Sequence, residues 1–464
     1  MRVVRLGAFL LERGPHPTLS QRERVLTLVL LTASLFLSAC THSGGSNMCA
    51  RLADVPHATA ACVVQDPKTG SILSEYQSQR LLVPASTQKL VTYLVALKAL
   101  GPDYRFHTTL YQLPGGEVGL RMGGDPTLTM ADLRALLEKM PKNARLRVDD
   151  TAILLSPYAP GVAVEDLQFC FAAPLSAVML GTNCTSIKLV PTQAGQKVRL
   201  VLEDPWMTSF VENRVRSEEN CPANGGALLQ EQEGLKTVLT GCLPAGGEVF
   251  PLRLPIRHPR EALRMALEAI GVRHVHYAAL PPGEHPTLSD HASEDLQTIS
   301  VVAMKESDNL KLSALFAAIM AKHQIQTWPE AGKKLRELTH HYYGVAPGRV
   351  SMWDGSGWSR YNQMTAGYLA QLLYQAYQDP EIYALLKETF PRNGMDGTLK
   401  KRLAEEGIRG KIYAKTGGLK GISNLAGYMQ LRGHEEILVL FLNFWPLEQG
   451  AASMQLDKVI MGAR

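Results

Sequence analysis

Several signatures that would place a chain among metal enzymes, nucleic-acid binders or membrane spans are missing here. The seven cysteines form no Cys-x-x-Cys pair and no His-Glu-x-x-His string occurs, so a metal hydrolase is set aside. There is no basic block: 48 Lys and Arg against 43 Asp and Glu leave a formal charge of +5 spread along the chain, with no clustering that would make a nucleic-acid footprint. Repeats and low-complexity tracts are absent. With 45% hydrophobic and 20% charged residues, the 464-residue chain is globular and can bury a large core in two or three domains. Its most extended apolar run, residues 25–37, is too short to span a bilayer comfortably.

That run instead reads as the core of an export signal. Arg22 and Arg24 precede it, and the small residues Ser38 and Ala39 follow before Cys40. Leu37-Ser38-Ala39-Cys40 resembles a bacterial lipobox, which implies cleavage before Cys40, lipidation of that cysteine, and a flexible tether after it. The alternative is an ordinary cleavable signal with a cysteine beside it. The stretch before the run, from Met1 to about Ser20, is longer than a signal n-region and leaves the start codon open. Export permits disulfides among Cys49, Cys62, Cys170, Cys184, Cys221 and Cys242. Sequential pairing would close short loops, but six cysteines allow fifteen connectivities and the sequence does not choose.

Residues 61–65 and 71–76 are apolar-rich runs separated by Asp66-Pro67-Lys68-Thr69-Gly70, which predicts a hairpin. After Pro84-Ala85, residues 86–100 combine helix formers with apolar residues at helical spacing, and Gly101-Pro102 closes them. Ser86 is therefore expected at or near a helix N-terminus. From about 103 to 290 short strand-like runs alternate with turns, which predicts inserted, largely β material. Helical periodicity returns at 295–322 and 364–386. Residues 411–414, 423–431 and 436–444 read as strands, the first two separated by Lys415-Thr-Gly-Gly-Leu-Lys-Gly421. Helices flanked by strands from both chain ends indicate an α+β core interrupted by an insertion.

A serine hydroxyl is a poor nucleophile until a neighbouring base takes its proton. Ser86 and Lys89, three residues apart on a helix, put an amine within reach of the hydroxyl, near a helix N-terminus that favours developing negative charge. A Ser-x-x-Lys string alone is weak, since chance supplies about one or two in such a chain, most of them solvated helix surface. Two further strings strengthen it: Ser307-Asp308-Asn309, and Lys415-Thr416-Gly417 on a strand entering a Gly-rich turn. All three in this order are much rarer than any one of them. A second Lys-Thr-Gly at 68–70 precedes the serine and follows Asp66-Pro67, which marks it as a hairpin turn.

The three strings resemble the signature of the serine penicillin-binding proteins and β-lactamases, Ser-x-x-Lys, Ser-x-Asn and Lys-Thr-Gly. Pro84-Ala-Ser-Thr-Gln-Lys89, Gly123-Gly-Asp-Pro-Thr127, Met304-Lys-Glu-Ser-Asp-Asn309, Asp354-Gly-Ser-Gly-Trp-Ser-Arg360, Gly394-Met-Asp-Gly-Thr398 and Lys415-Thr-Gly-Gly-Leu-Lys-Gly421, with Asn424-Leu-Ala-Gly427, narrow the likeness. They resemble the class C low-molecular-mass penicillin-binding proteins, the D-alanyl-D-alanine carboxypeptidase/endopeptidases, over roughly residues 61–445. The 217 residues between Lys89 and Ser307 fit that family, which carries large insertions there, and leave no match to a compact β-lactamase.

The resemblance implies an α+β, serine DD-peptidase/β-lactamase-like catalytic domain interrupted by a large, mainly β insertion. It divides the chain into a signal at 1–39, a tether at 40–47, a catalytic domain at 48–102 and 291–464, and inserted subdomains at 103–290. It assigns Ser86 as nucleophile, Lys89 as general base, and Ser307 as proton relay to the leaving amine. Lys89 must be neutral for this, and burial plus the charge of Lys415 are expected to lower its pKa. Asn309 would hold the substrate amide, Lys415 and Thr416 the terminal carboxylate, and the backbone N–H groups of Ser86 and Gly418 the oxyanion. Gly418 stands where family members have serine and Lys420 where close relatives have glutamine. Asp166 and Arg360 match family contacts to the diaminopimelate side chain of the stem peptide, their alternative being surface charges beside loops. His340 and His341 are read as structural.

No cofactor is implied. The expected partners are peptidoglycan peptides, with β-lactams as acylating inhibitors and the membrane reached through a lipid on Cys40; a homodimer stays open. The expected location is the periplasm, tethered to the outer membrane. Two rivals remain: a β-lactamase, which must also deacylate rapidly, and a non-catalytic peptidoglycan-binding lipoprotein that keeps the fold as a scaffold. Penicillin turnover separates the first, and failure to take up labelled penicillin favours the second.

Overall fold

Helix α1 (Met48–Ala53) and a hairpin of strands β1 (Thr59–Gln65) and β2 (Ile72–Tyr76) begin the described part of the computed structural model, which covers residues 48–222, 229–431, 433–446 and 449–462. The expected signal, Cys40 and the tether lie outside the described residues. The hairpin turn forms where Asp66-Pro67 predicts it. The Asp66 carboxylate accepts from the backbone N–H of Lys68 at 2.7 Å and of Thr69 at 3.2 Å, and Gly70 takes φ +76°. The Lys-Thr-Gly copy at 68–70 is turn material. A 3₁₀ turn, Ala85–Gln88, then leads into α2 (Lys89–Ala99), in which every residue but Lys98 is buried. A helix buried all round can only be central.

The insertion follows: β3 (His107–Gln112), β4 (Val118–Arg121), α3 (Met130–Leu137), β5 (Leu146–Asp149), β6 (Cys184–Val190), β7 (Arg199–Leu202), β8 (Val211–Asn213), β9 (Arg216–Glu218), β10 (Leu229–Glu233), β11 (Lys236–Thr240), β12 (Cys242–Pro244), β13 (Phe250–Pro255), α4 (Pro259–Ala269), β14 (Val275–Tyr277) and β15 (Thr287–Ala292). Its larger sheet has the order β14-β5-β4-β3-β15, with β14, β5 and β4 parallel and the rest antiparallel. Leu133, Leu136, Leu263 and Leu267 of α3 and α4 share one core with Leu110, Leu120 and Val148 of that sheet. Three smaller sheets, β13-β6-β7, β10-β11-β8 and β12-β9, make up the remainder. The expected boundary at 290 falls inside β15, which pairs with β3 as far as Ala292. Just beyond it Ser293 donates its N–H to Phe106 O at 2.9 Å.

The second half adds α5 (Leu296–Glu306), α6 (Asn309–Lys322), α7 (Trp328–Tyr343), α8 (Ala366–Tyr377), α9 (Pro380–Thr389), β16 (Ile412–Leu419), β17 (Ile422–Leu431), β18 (His434–Asn443) and α10 (Gln449–Met461). The periodic stretch at 364–386 is two helices, because Asp379 caps α9 and Pro380 opens it. Strand β16 runs through Lys415-Thr-Gly-Gly to Leu419, so these residues are strand and not the turn the glycines suggest; the turn is Lys420-Gly421. The central sheet, β16-β17-β18-β1-β2, is antiparallel throughout, with strands from both chain ends side by side. Alternate residues of β18 serve two cores. Ile437, Val439 and Phe441 join the one built on α2, α6 and α8, while Leu438, Leu440 and Leu442 join the one beneath α1 and α10.

The disulfides pair sequentially: Cys49–Cys62, Cys170–Cys184 and Cys221–Cys242, with separations of 13, 14 and 21 residues. Closing loops of this size contributes roughly 3 kcal/mol each on a chain-entropy account. Cys49–Cys62 fastens α1 to β1, and Cys170–Cys184 fastens a short strap, residues 170–172, to the start of strand β6.

Candidate active site

Ser86 sits in the 3₁₀ turn just before α2, and Lys89 is the first residue of that helix. Ala85 takes a left-handed φ of +46°, a conformation that costs an L-residue about 1–2 kcal/mol and persists only when its surroundings hold it. They do. Asn424 Nδ2 donates to the carbonyls of Val83 and Pro84, both at 2.9 Å, and Asn443 Oδ1 accepts from Val83 N at 2.8 Å. Two glycines close over the turn: a Cβ on Gly417 would lie 2.7 Å from Pro84 O, and one on Gly357 would lie 1.9 Å from Ala85 O.

Lys89 is fully buried, and its Nζ has three oxygen neighbours: Ser86 Oγ at 2.8 Å, Asn309 Oδ1 at 2.6 Å and Ser356 O at 2.7 Å. A neutral amine has two N–H donors and one lone pair. The carbonyl of Ser356 and the amide oxygen of Asn309 can only accept, so they take the two N–H groups and leave the lone pair for the Ser86 hydroxyl. Burial pushes the Lys89 pKa down to about 7, against the opposing pull of the carboxylates of Asp354 and Asp308. Burial, and the repulsion between the two amines when both are charged, also hold Lys415 well below the ordinary lysine range.

Ser307-Asp308-Asn309 occupies the break between α5 and α6, and each residue type has a local reason. Ser307 ends α5 in a left-handed conformation, φ +61°. Asp308 caps α6 by accepting from Lys311 N at 3.0 Å, and Asn309 is the first residue of that helix. Asn309 Nδ2 donates to Phe171 O at 2.9 Å, which fixes the amide orientation because that carbonyl accepts only. Ser307 Oγ lies 2.8 Å from Lys415 Nζ, and the Thr416 hydroxyl lies 2.8 Å from that of Thr398.

Ser86, Ser307, Asn309 and Gly418 line a cavity of about 300 Å³ together with Asp166, Arg360, Phe171, Trp358 and Lys420. Asp166 and Arg360 pair with each other at 3.3 Å, and Trp358 Nε1 also donates to the Asp166 carboxylate, at 3.1 Å. The expected catalytic and substrate-contact residues thus gather at one place: Lys415 and Thr416 lie on β16 next to Gly418, and Lys89 is hydrogen-bonded to Ser86. Phe171 was missed, and Ser356 and Trp358 were given no role although they lie within the string at residues 354–360. The first two act through backbone carbonyls, which no side-chain motif reports. The available signal for Ser356 is Asp354, whose carboxylate gathers the N–H groups of Ser356, Gly357 and Ser359 at 3.1, 2.6 and 2.6 Å and so shapes the loop.

Comparison with known proteins agrees with this geometry. The model of the D-Ala-D-Ala carboxypeptidase 3 (S13) family matches residues 46–460. A D-alanyl-D-alanine carboxypeptidase from an Actinomadura species is 30% identical over 408 residues, covering 80% of this chain and 75% of the relative. D-alanyl-D-alanine carboxypeptidase DacB of Haemophilus influenzae is 26% identical over 454 residues, covering 92% of this chain and 93% of the relative. The crystal structure of penicillin binding protein 4 (dacB) from Haemophilus influenzae superposes with a TM-score of 0.78 at 24% identity, covering 89% of this chain and 98% of that one. That protein has also been solved complexed with a novel β-lactam.

Proposed function

The chain belongs to the D-Ala-D-Ala carboxypeptidase 3 (S13) family and is a serine-type D-alanyl-D-alanine carboxypeptidase, and from that premise we propose that its chemistry runs through an acyl-enzyme on Ser86. Neutral Lys89 takes the Ser86 proton as Oγ attacks the carbonyl of the penultimate D-alanine. The backbone N–H groups of Ser86 and Gly418 receive the oxyanion. As the C–N bond breaks, Ser307 passes a proton to the leaving amine; water then hydrolyses the ester. Lys415 and Thr416 bind the terminal carboxylate, Asn309 the substrate amide, and Asp166 with Arg360 a zwitterionic diaminopimelate side chain. The observation that carries this reading is the 2.8 Å approach of buried Lys89 Nζ to Ser86 Oγ, with two acceptors taking its N–H groups.

The same reading extends to cross-linked peptides, as endopeptidase action, and to β-lactams as acylating mimics, which the β-lactam complex of the Haemophilus protein supports. It includes a catalytic domain at 48–102 and 293–464 around an insertion at 103–292, a periplasmic site of action, and an outer-membrane tether through lipidated Cys40. The test is release of D-alanine from a peptide ending in D-alanyl-D-alanine. Wild type should release it, and Ser86→Ala should not; equal release by both would refute the assignment.

A further inference from the structure

Three cations that are scattered in the sequence, Arg134, Lys142 and Arg273, line one groove of the fold. The C-terminal turns of α3 and α4 and the segments leading into β5 and β14 enclose an open groove of about 860 Å³, larger than the cavity of about 300 Å³ at Ser86. Arg134, Lys142 and Arg273 line it, with Glu138 as its one acidic wall residue. Exposed Lys139 and Arg145 adjoin it in the chain. Elsewhere on this layer the cations are matched: Arg147 pairs with Glu117 at 2.9 Å and Arg264 with Glu261 at 2.9 Å. Among the described residues the side chains of Arg134, Lys142 and Arg273 have no acidic partner, so the groove offers several unneutralised charges in a concave surface. Residues 134–145 and 273 are far apart in sequence, and α3 and α4 bring them together.

The walls also carry the opposite polarity. Both helices end at the groove and turn their last carbonyls toward its rim, where only some are capped, as by Met140 N on Leu137 O and Val272 N on Leu267 O. Helix C-termini oppose a dense polyanion such as nucleic acid. Cations interleaved with free carbonyl acceptors fit a polymer of scattered carboxylates with amide and hydroxyl donors between them. We infer that this groove is a second docking site, away from Ser86, for peptidoglycan strands bearing free carboxylates. The inference rests on the proposed action on peptidoglycan.

The strand register sets the groove apart from Ser86. Val118, Leu146 and Val275, the first residues of β4, β5 and β14, pair side by side at the groove end, and Gln112 at the end of β3 pairs with Val118. The insertion joins the catalytic part at the other end of β3, beside His107. Six residues of strand put roughly 20 Å between the two ends, so the groove lies at the far end of β3 from the point where the chain leaves the catalytic part.

The test is cosedimentation of the full-length protein with purified peptidoglycan sacculi, comparing wild type, Ser86→Ala, and the triple variant Arg134→Gln/Lys142→Gln/Arg273→Gln. The bound fraction should fall about tenfold or more in the triple variant, and in wild type as salt is raised. Ser86→Ala should bind like wild type, and D-alanine release from a soluble peptide should stay within about twofold in the triple variant. Undiminished binding by the triple variant overturns the inference. So does loss of binding in Ser86→Ala, or capture of duplex DNA in preference to sacculi. Groove-dependent sedimentation by a wild-type protein that releases no D-alanine would uphold the docking site and sink the Ser86 reading instead.

Discussion

Lys89 Nζ donates to the carbonyl of Ser356 at 2.7 Å. With Asn309 Oδ1 taking the second N–H, the only direction left for the lone pair of the neutral amine is toward Ser86 Oγ. The base is therefore aimed by a backbone group, and that group is set by Asp354, which holds the loop from within.

The pH dependence follows from the burial of Lys89. Its pKa of about 7 means the base is protonated and idle below that value, so acylation by penicillin should rise with pH, half-maximal near 7 and falling about tenfold per unit on the acid side. Stopped-flow acylation rates from pH 5 to 9 test this; an inflection near 10 would show an ordinary lysine. The sign for stability is the same. Between about 7 and 10.5 the unfolded chain binds a proton at Lys89 that the folded one refuses, so unfolding free energy should rise with pH there, and Lys89→Met should reduce that slope in denaturant titrations, leaving the part that buried Lys415 contributes.

Gly357 is the sharpest steric probe of the nucleophile turn. It holds φ +81°, and a Cβ would lie 1.9 Å from Ala85 O, so Gly357→Ala must displace either the loop or the turn. A shift of about 1 Å at reacting groups costs on the order of a hundredfold. Acylation should slow by that much, with the circular dichroism spectrum unchanged. Wild-type rates in this variant would mean that the loop does not constrain Ser86.

The Asp166–Arg360 pair should report on the substrate side chain and leave the acyl transfer itself alone. Arg360→Ala removes a guanidinium that lines the cavity. Turnover of a stem peptide carrying free diaminopimelate should drop tenfold or more, on the order of one charge-assisted hydrogen bond. Penicillin acylation should change little. Equal losses on both ligands would make the pair structural.

Cys170–Cys184 anchors the strap whose Phe171 carbonyl orients Asn309. Replacing both cysteines with serine frees that strap. The amide of Asn309 then loses the partner that keeps its oxygen toward Lys89, and acylation should slow by about tenfold or more while the fold persists. Unchanged acylation kinetics would show that the strap needs no covalent anchor.

Much of the site is legible in sequence because its side chains come in short strings fixed to local structure. Ser-x-x-Lys spans a 3₁₀ turn and the first residue of a helix, Ser-Asp-Asn a left-handed turn with a capping aspartate, and Lys-Thr-Gly a strand flat enough to pass the nucleophile turn. The hairpin at Asp66 was equally plain. What stayed hidden has two causes. Ser356 and Phe171 contribute carbonyls, which any residue possesses, and the charged groove is assembled from distant segments. The short helices α3 and α4 lay unseen among strand-like runs although Thr129 makes a capping box with Asp132 and Pro259 opens α4. α7 also went unrecognised, despite Thr327 at its cap and Gly344 in a left-handed conformation at its end.

The most direct measurement is incubation of the full-length protein with fluorescent penicillin beside Ser86→Ala, followed by denaturing electrophoresis and mass mapping of the labelled peptide. Wild type should carry a stable label on the peptide containing Ser86, and the variant should carry none. An unlabelled, folded wild-type protein that leaves penicillin intact, or a label retained by Ser86→Ala, would contradict it.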